Sequence, residues 1–221
     1  MAYFTSDYLQ FFKELRENNN REWFEANKDR FKKNVEQSFI QFISAMIERM
    51  RAVDSRLVLT AKDATFRIYR DTRFSNDKTP YKDHLGAVVA KGGRKSMGGS
   101  GSYFQANEQD FRIYGGVYAP EKEDLQAIRN AIAADLTGFD KLINNPIFKE
   151  KFGEIKGEEN KRLPADLLEA AEKQPLIYKK SFYFFHAFPP ETILRDDLPE
   201  LCMEYYLAGK QVGDFLGRAT Q

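Results

Sequence analysis

Thirteen residues, RDTRFSNDKTPYK from Arg70 to Lys82, hold four basic and two acidic side chains beside two aromatics and a proline. Arginine offers a planar fork of donors to a phosphate or carboxylate, and lysine offers a mobile point charge. If the chain turns at Asn76-Asp77 and again at Pro80, then Arg70, Arg73, Lys78 and Lys82 converge on one anion, with Arg67 and Ser75 beside them as further ligand-binding candidates. Asp71 and Asp77 can then orient those bases, or hold a hard cation such as Mg²⁺ whose shell the substrate completes. Tyr81 and Phe74 would close the pocket and offer a stacking surface. His84 adjoins the stretch, and imidazole is a side chain suited to general acid or base work, which makes it, with Asp71 and Asp77, the candidate for proton transfer.

The same residues can also satisfy one another. Asp71 can pair with Arg73 or Arg67, and Asp77 with Lys82, while Phe74 and Tyr81 anchor the loop in a core. Charge concentrated here serves either to hold an anion or to hold the loop itself, and both readings stand at this level.

Other chemistries lack their residues. The two histidines, His84 and His186, form no HExxH and no close pair, so no histidine-rich metal site is indicated. The one cysteine, Cys202, lies in LPELCMEYYLAG and reads as core; it allows neither an internal disulfide nor a multi-cysteine zinc site. No GxSxG elbow occurs, and the glycine-rich KGGRKSMGGSG, Lys91 to Gly101, lacks the Walker spacing and reads as a hairpin loop.

The positioning elements follow from periodicity. A short helix is expected near Ser6 to Glu17, and Asn19 with Glu22 resembles a capping box for a second. Phe24, Phe31, Val35, Phe39, Phe42, Met46 and Met50 then mark one helical face running to about Val53. Roughly 30 residues of helix would span about 45 Å, so a bend is expected. Asn27 falls on that stripe, and with Trp23 it is expected to clamp a neighbouring loop.

From Leu57 the period changes to two. ATFRIYRD, HLGAVVAK, GSYFQANE, FRIYGGVYA and later SFYFFHAF read as strands of an antiparallel sheet. Phe111, Ile113 and Val117 face the core on one of them, with Arg112, Tyr114 and Tyr118 opposite; Arg67 and Tyr69 repeat that basic, aromatic face on the first run. A helix follows Pro120 with the stripe Leu125, Ile128 and Ile132, and a last helix starts at Asp197. The expectation is a single α+β domain over residues 1–221, with a sheet of four to five strands packed against N-terminal and C-terminal helices.

Hydrophobic residues at 42% and charged residues at 30% are globular values. No segment approaches the roughly 18 apolar residues of a membrane span, and the start resembles no signal peptide, so a cytoplasmic protein without a membrane partner is expected. Net charge is +1. Between Ala61 and Ser100, however, nine Lys and Arg face four Asp and Glu, a local excess of +5 that leaves −4 on the remainder. Such asymmetry points to an anionic partner at one region.

The chain resembles the family catalogued as domain of unknown function 2461. The resemblance is carried by NNNREWFEANK (Asn18 to Lys28), FRIYRDTRFSNDKTPYKDH (Phe66 to His84), GSYFQ with GGVYAP (Gly101 to Pro120) and the LQAIRNAI helix start, nearly the whole chain. It implies an architecture and a special site at the charged stretch, with no activity attached. Two functional readings remain: a binder of a small phosphorylated or carboxylated ligand, with or without a reaction on it, and a non-enzymatic module taking a nucleic acid or protein partner on its basic, aromatic face. Near-neutral total charge disfavours nucleic acid. Oligomeric state is not legible, and Mg²⁺ is the one cofactor the residues suggest.

Overall fold

A computed structural model describes residues 2–73, 76–95 and 98–220, with side chains from 101 onward in the last stretch. Phe74 and Ser75 of the charged stretch lie outside the described residues. The fold is α+β, with helices at both termini and a four-stranded antiparallel sheet in the order β1-β2-β3-β4. The strands are β1 (Leu85–Ala90), β2 (Gly98–Ala106), β3 (Phe111–Val117) and β4 (Phe182–Phe188). By contacts the chain divides into two compact units. The first comprises Met1–Arg94, Tyr103–Ile113 and Ala187–Met203, the second Lys95–Ser102, Tyr114–His186 and Glu204–Gln221.

In the first unit, α1 (Ser6–Glu17) buries Tyr8, Phe11, Phe12 and Leu15. Helix α2 (Arg21–Ala26) follows, capped by Asn20 rather than Asn19: the Asn20 side chain accepts from Trp23 N at 2.9 Å. That leaves the Asn19 amide available elsewhere. The expected long helix is interrupted. After the short α3 (Lys28–Arg30), residues Phe31–Glu36 form a π-helical stretch, and α4 (Gln37–Val53) completes the run. Every apolar residue of the sequence stripe from Phe24 to Met50 is at most 5% exposed. Arg30, just before the π stretch, and Asn34 within it reach back to α1. Arg30 donates to Asp7 and Glu14, each at 2.6 Å, and Asn34 donates to Asp7 at 2.8 Å. Residues 30 and 34 thus meet at Asp7, while Phe31 and Val35 stay in the core.

The run ATFRIYRD begins in α5 (Ala61–Ala64) and is not a continuous strand. Residues 65–70 pair with 80–87 through isolated bridges, Thr65 with Ala87 and Tyr69 with Tyr81. Phe66 N donates to Gly86 O, Lys82 N to Ile68 O, and Arg70 N to Pro80 O. The result is a ragged hairpin whose tip is the charged stretch. On β3, Phe111, Ile113 and Val117 are buried as the alternation requires.

In the second unit, α6 (Lys122–Ala134), α7 (Leu136–Ile143), α8 (Pro146–Phe152) and α9 (Leu168–Lys173) follow in sequence, with 3₁₀ turns at Ala165–Leu167 and Pro175–Tyr178. Phe184 is buried against Phe148 and Phe152. Segment 156–159 pairs with 179–183, Lys156 with Tyr183 and Glu159 with Lys179. The last helix, α10 (Leu198–Arg218), contributes residues to both units, and Cys202 within it is fully buried. Burial pushes that thiol well above its ordinary pKa. No described helix is long and apolar enough to cross a membrane.

Candidate functional site

The base of the hairpin is fixed by an asparagine that imitates a strand. Asn19 Nδ2 donates to Tyr81 O at 3.0 Å, and Tyr81 N donates to Asn19 Oδ1 at 3.1 Å. One side-chain amide thus satisfies both backbone groups of a core residue. The Tyr81 ring is 2% exposed and stacks on Phe24 at 4.0 Å, with Tyr69 at 5.4 Å. Burial raises its phenol pKa, and the ring lies in the core rather than on a ligand-facing surface. Asn27 donates to Trp23 O at 2.9 Å within its own helix, and Trp23 packs on Phe11. The amide that reaches the charged stretch is that of Asn19.

At the tip, opposite charges meet one another. Arg73 holds Asp71 with two parallel bonds, Nε at 3.0 Å and Nη2 at 2.7 Å. This pairing, with the Arg73 backbone N–H on the same carboxylate, brings the Asp71 pKa down to about 2. Arg70 Nη1 binds Asp77 in a short ion pair and donates to Thr79 Oγ1 at 2.8 Å. Asp77 also accepts from Thr79 N at 2.9 Å, the largest of the influences lowering its pKa. Lys78 Nζ donates to Thr72 O at 2.9 Å. Arg70, Arg73 and Lys78 therefore do not converge on a common point: each is engaged by a carboxylate or carbonyl of the tip. Asp71 and Asp77 each carry an arginine, and among the described residues no three His, Cys, Asp or Glu gather around a cation position. Ser75 lies outside the described residues.

The hairpin's base differs. Lys82 Nζ stands 5.2 Å from the centroid of the Phe66 ring, half-buried, and among the described residues no carboxylate pairs with it. Arg67 is exposed on the opposing segment and likewise carries no described ion pair. Burial lowers the Lys82 pKa, and the positive charge of Arg67 lowers it further. The Phe66 ring meets Tyr103 edge-on at 6.3 Å, over Gly86, where a Cβ would stand 2.9 Å from the Tyr103 ring carbons. Lys82 thus stands over an aromatic ring with Arg67 as a like-charged neighbour and, among the described residues, no ion pair of its own.

His84 Nδ1–H donates to Asp83 Oδ1 at 2.8 Å. That bond lowers the Asp83 pKa and, in the neutral imidazole, leaves Nε2 as the proton acceptor. Asp83, Asn19 and Phe66 are the residues sequence reasoning passed over. Asp83 had a signal, its place immediately before His84. Asn19 had only the ambiguous triplet NNN, in which three asparagines could each cap or clamp.

No curated protein matches the sequence. The sequence model of the family described as conserved hypothetical protein (DUF2461) matches residues 7–215, which takes in the Asn19 clamp, the whole hairpin, His84 and all four strands. The chain belongs to that family.

Proposed function

We propose that the protein binds a small anionic ligand, phosphorylated or carboxylated, at the base of the 65–87 hairpin. The observation that carries this reading is Lys82: a half-buried ammonium on the Phe66 ring, with Arg67 as its charged neighbour and no described carboxylate. Withdrawing a cation from water without a counter-ion costs free energy, and an anion bridging Arg67 and Lys82 recovers it. Phe66 and Tyr103 supply apolar surface for the remainder of the ligand. Should the ligand be transformed, Nε2 of His84, held by Asp83, is the group positioned to accept a proton.

The tip supports a separate, structural reading of its own. Arg73 with Asp71, and Arg70 with Asp77 and Thr79, hold the turn in shape. On this reading the charge of the stretch is divided: the tip maintains itself, and the base takes the ligand.

Thermal melting across phosphate, nucleotides, phosphosugars and dicarboxylates, each with and without Mg²⁺, tests the proposal. A ligand at about 100 times its Kd adds roughly 2.7 kcal/mol, a rise of about 5–10 °C for a chain of this length. Arg67→Ala and Lys82→Ala should each reduce the rise, whereas Arg73→Ala should lower the melting temperature of the free protein and keep the full response. A response lost in Arg73→Ala but kept in Lys82→Ala would overturn this placement. A polymer partner would reveal itself by affinity falling steeply with salt and spread over several residues.

A further inference from the structure

In the second unit, α6 packs on the 3₁₀ turns Ala165–Leu167 and Pro175–Tyr178. Its buried positions are Ile128, Arg129 and Ile132, a helical stripe in which the middle member is a cation. Arg129 is 4% exposed. Its Nη2 donates to Lys179 O at 3.0 Å and to Tyr178 O at 3.4 Å, the second at the long limit for such a bond. Its Nε is buried and has no hydrogen-bond partner among the described residues. No carboxylate pairs with the guanidinium there either, and burial is what lowers its pKa.

Capping the end of the Pro175–Tyr178 turn accounts for the two carbonyl bonds. It does not account for the orphaned Nε, nor for a full positive charge at a position where leucine would pack without electrostatic cost. A trapped water would satisfy Nε–H and leave the charge uncompensated. An oxyanion would satisfy both. The Nε–H and the adjacent Nη2–H form the side-on edge of the guanidinium, which takes two oxygens of one carboxylate or phosphate in parallel bonds.

We propose that Arg129 is the fixed charge of a second anion site, lying against α6 and the 175–180 segment and taking the carboxylate or phosphate group of a small molecule. Binding exchanges the long bond to Tyr178 O for a charge-assisted pair.

The test follows the Arg129 Nε–H resonance of the ¹⁵N-labelled full chain during titration with inorganic phosphate, acetate and, at matched ionic strength, chloride. The expected result is a saturable shift with phosphate or acetate and none with chloride. Phosphate alone would make the class phosphoryl, and acetate alone carboxylate. In the Lys82→Ala variant, which lacks the hairpin's cation, the anion should still raise the melting temperature, and Arg129→Met in that background should remove the rise. An unmoved Nε–H resonance with both anions overturns the proposal, as does a rise that survives Arg129→Met. If Arg129→Met does not fold, the resonance titration of the parent decides. Loss of all anion response in Lys82→Ala, with the Arg129 resonance still, would refute this site and leave the hairpin site standing.

Discussion

Asn19 makes two backbone bonds with one side chain, and both go to a residue whose ring is in the core. Asn19→Ala leaves the Tyr81 N–H and C=O unmatched in partly buried surroundings, a loss of about 1–3 kcal/mol. Urea unfolding should show that decrease, and hydrogen exchange at the Tyr81 amide should quicken more than at β1 amides. Asp71 gives a second residue-level expectation. Its ordinary value is 3.8 and the Arg73 pairing brings it to about 2. A carboxyl depressed in the folded state contributes stability that is complete above its unfolded pKa and is lost as pH falls through the folded value, here between about pH 4 and pH 2. NMR titration should place the Asp71 midpoint near 2 and return it toward 3.8 in Arg73→Ala.

Among elements, the glycine one residue before the end of β3 has a specific task. Gly116 has φ +87°, and a Cβ there would lie 3.1 Å from the Tyr183 Cα on the β4 backbone. Gly116→Ala combines a strained φ with a clash against a main chain that cannot swing aside, so chemical denaturation should report a loss of about 1–3 kcal/mol. Elements were legible where burial follows a period. The Phe24 to Met50 stripe and the Phe111, Ile113, Val117 alternation both emerged as core. The π stretch was not legible, because its buried residues Phe31 and Val35 stand four apart, a spacing an ordinary helix shows as well. ATFRIYRD alternates like a strand, yet it pairs with residues 80–87 through isolated bridges alone, while Asn19 binds the outer edge of the same segment at Tyr81. The candidate site was legible as a region and not as a partition. Arg70 and Lys82 look equivalent in sequence; Asp77 and Thr79 meet the first, and Phe66 lies beneath the second.

At the scale of the molecule, β2, β3, β4 and α10 each contribute residues to both compact units, so no linker separates the two. Unfolding of either then breaks elements belonging to the other. Trp23, the one tryptophan, reports on the first unit, and far-UV circular dichroism on all helices. The two signals should follow one coincident transition in urea, and separated midpoints would assign each unit its own stability. The Asn19 clamp also sets a chemical clock. Slow hydrolysis of that one amide turns its Nδ2 donor into a carboxylate oxygen facing the Tyr81 carbonyl. Attraction becomes repulsion at the point where the charged hairpin is fastened, so a preparation aged by deamidation would lose the hairpin's footing before it lost any helix.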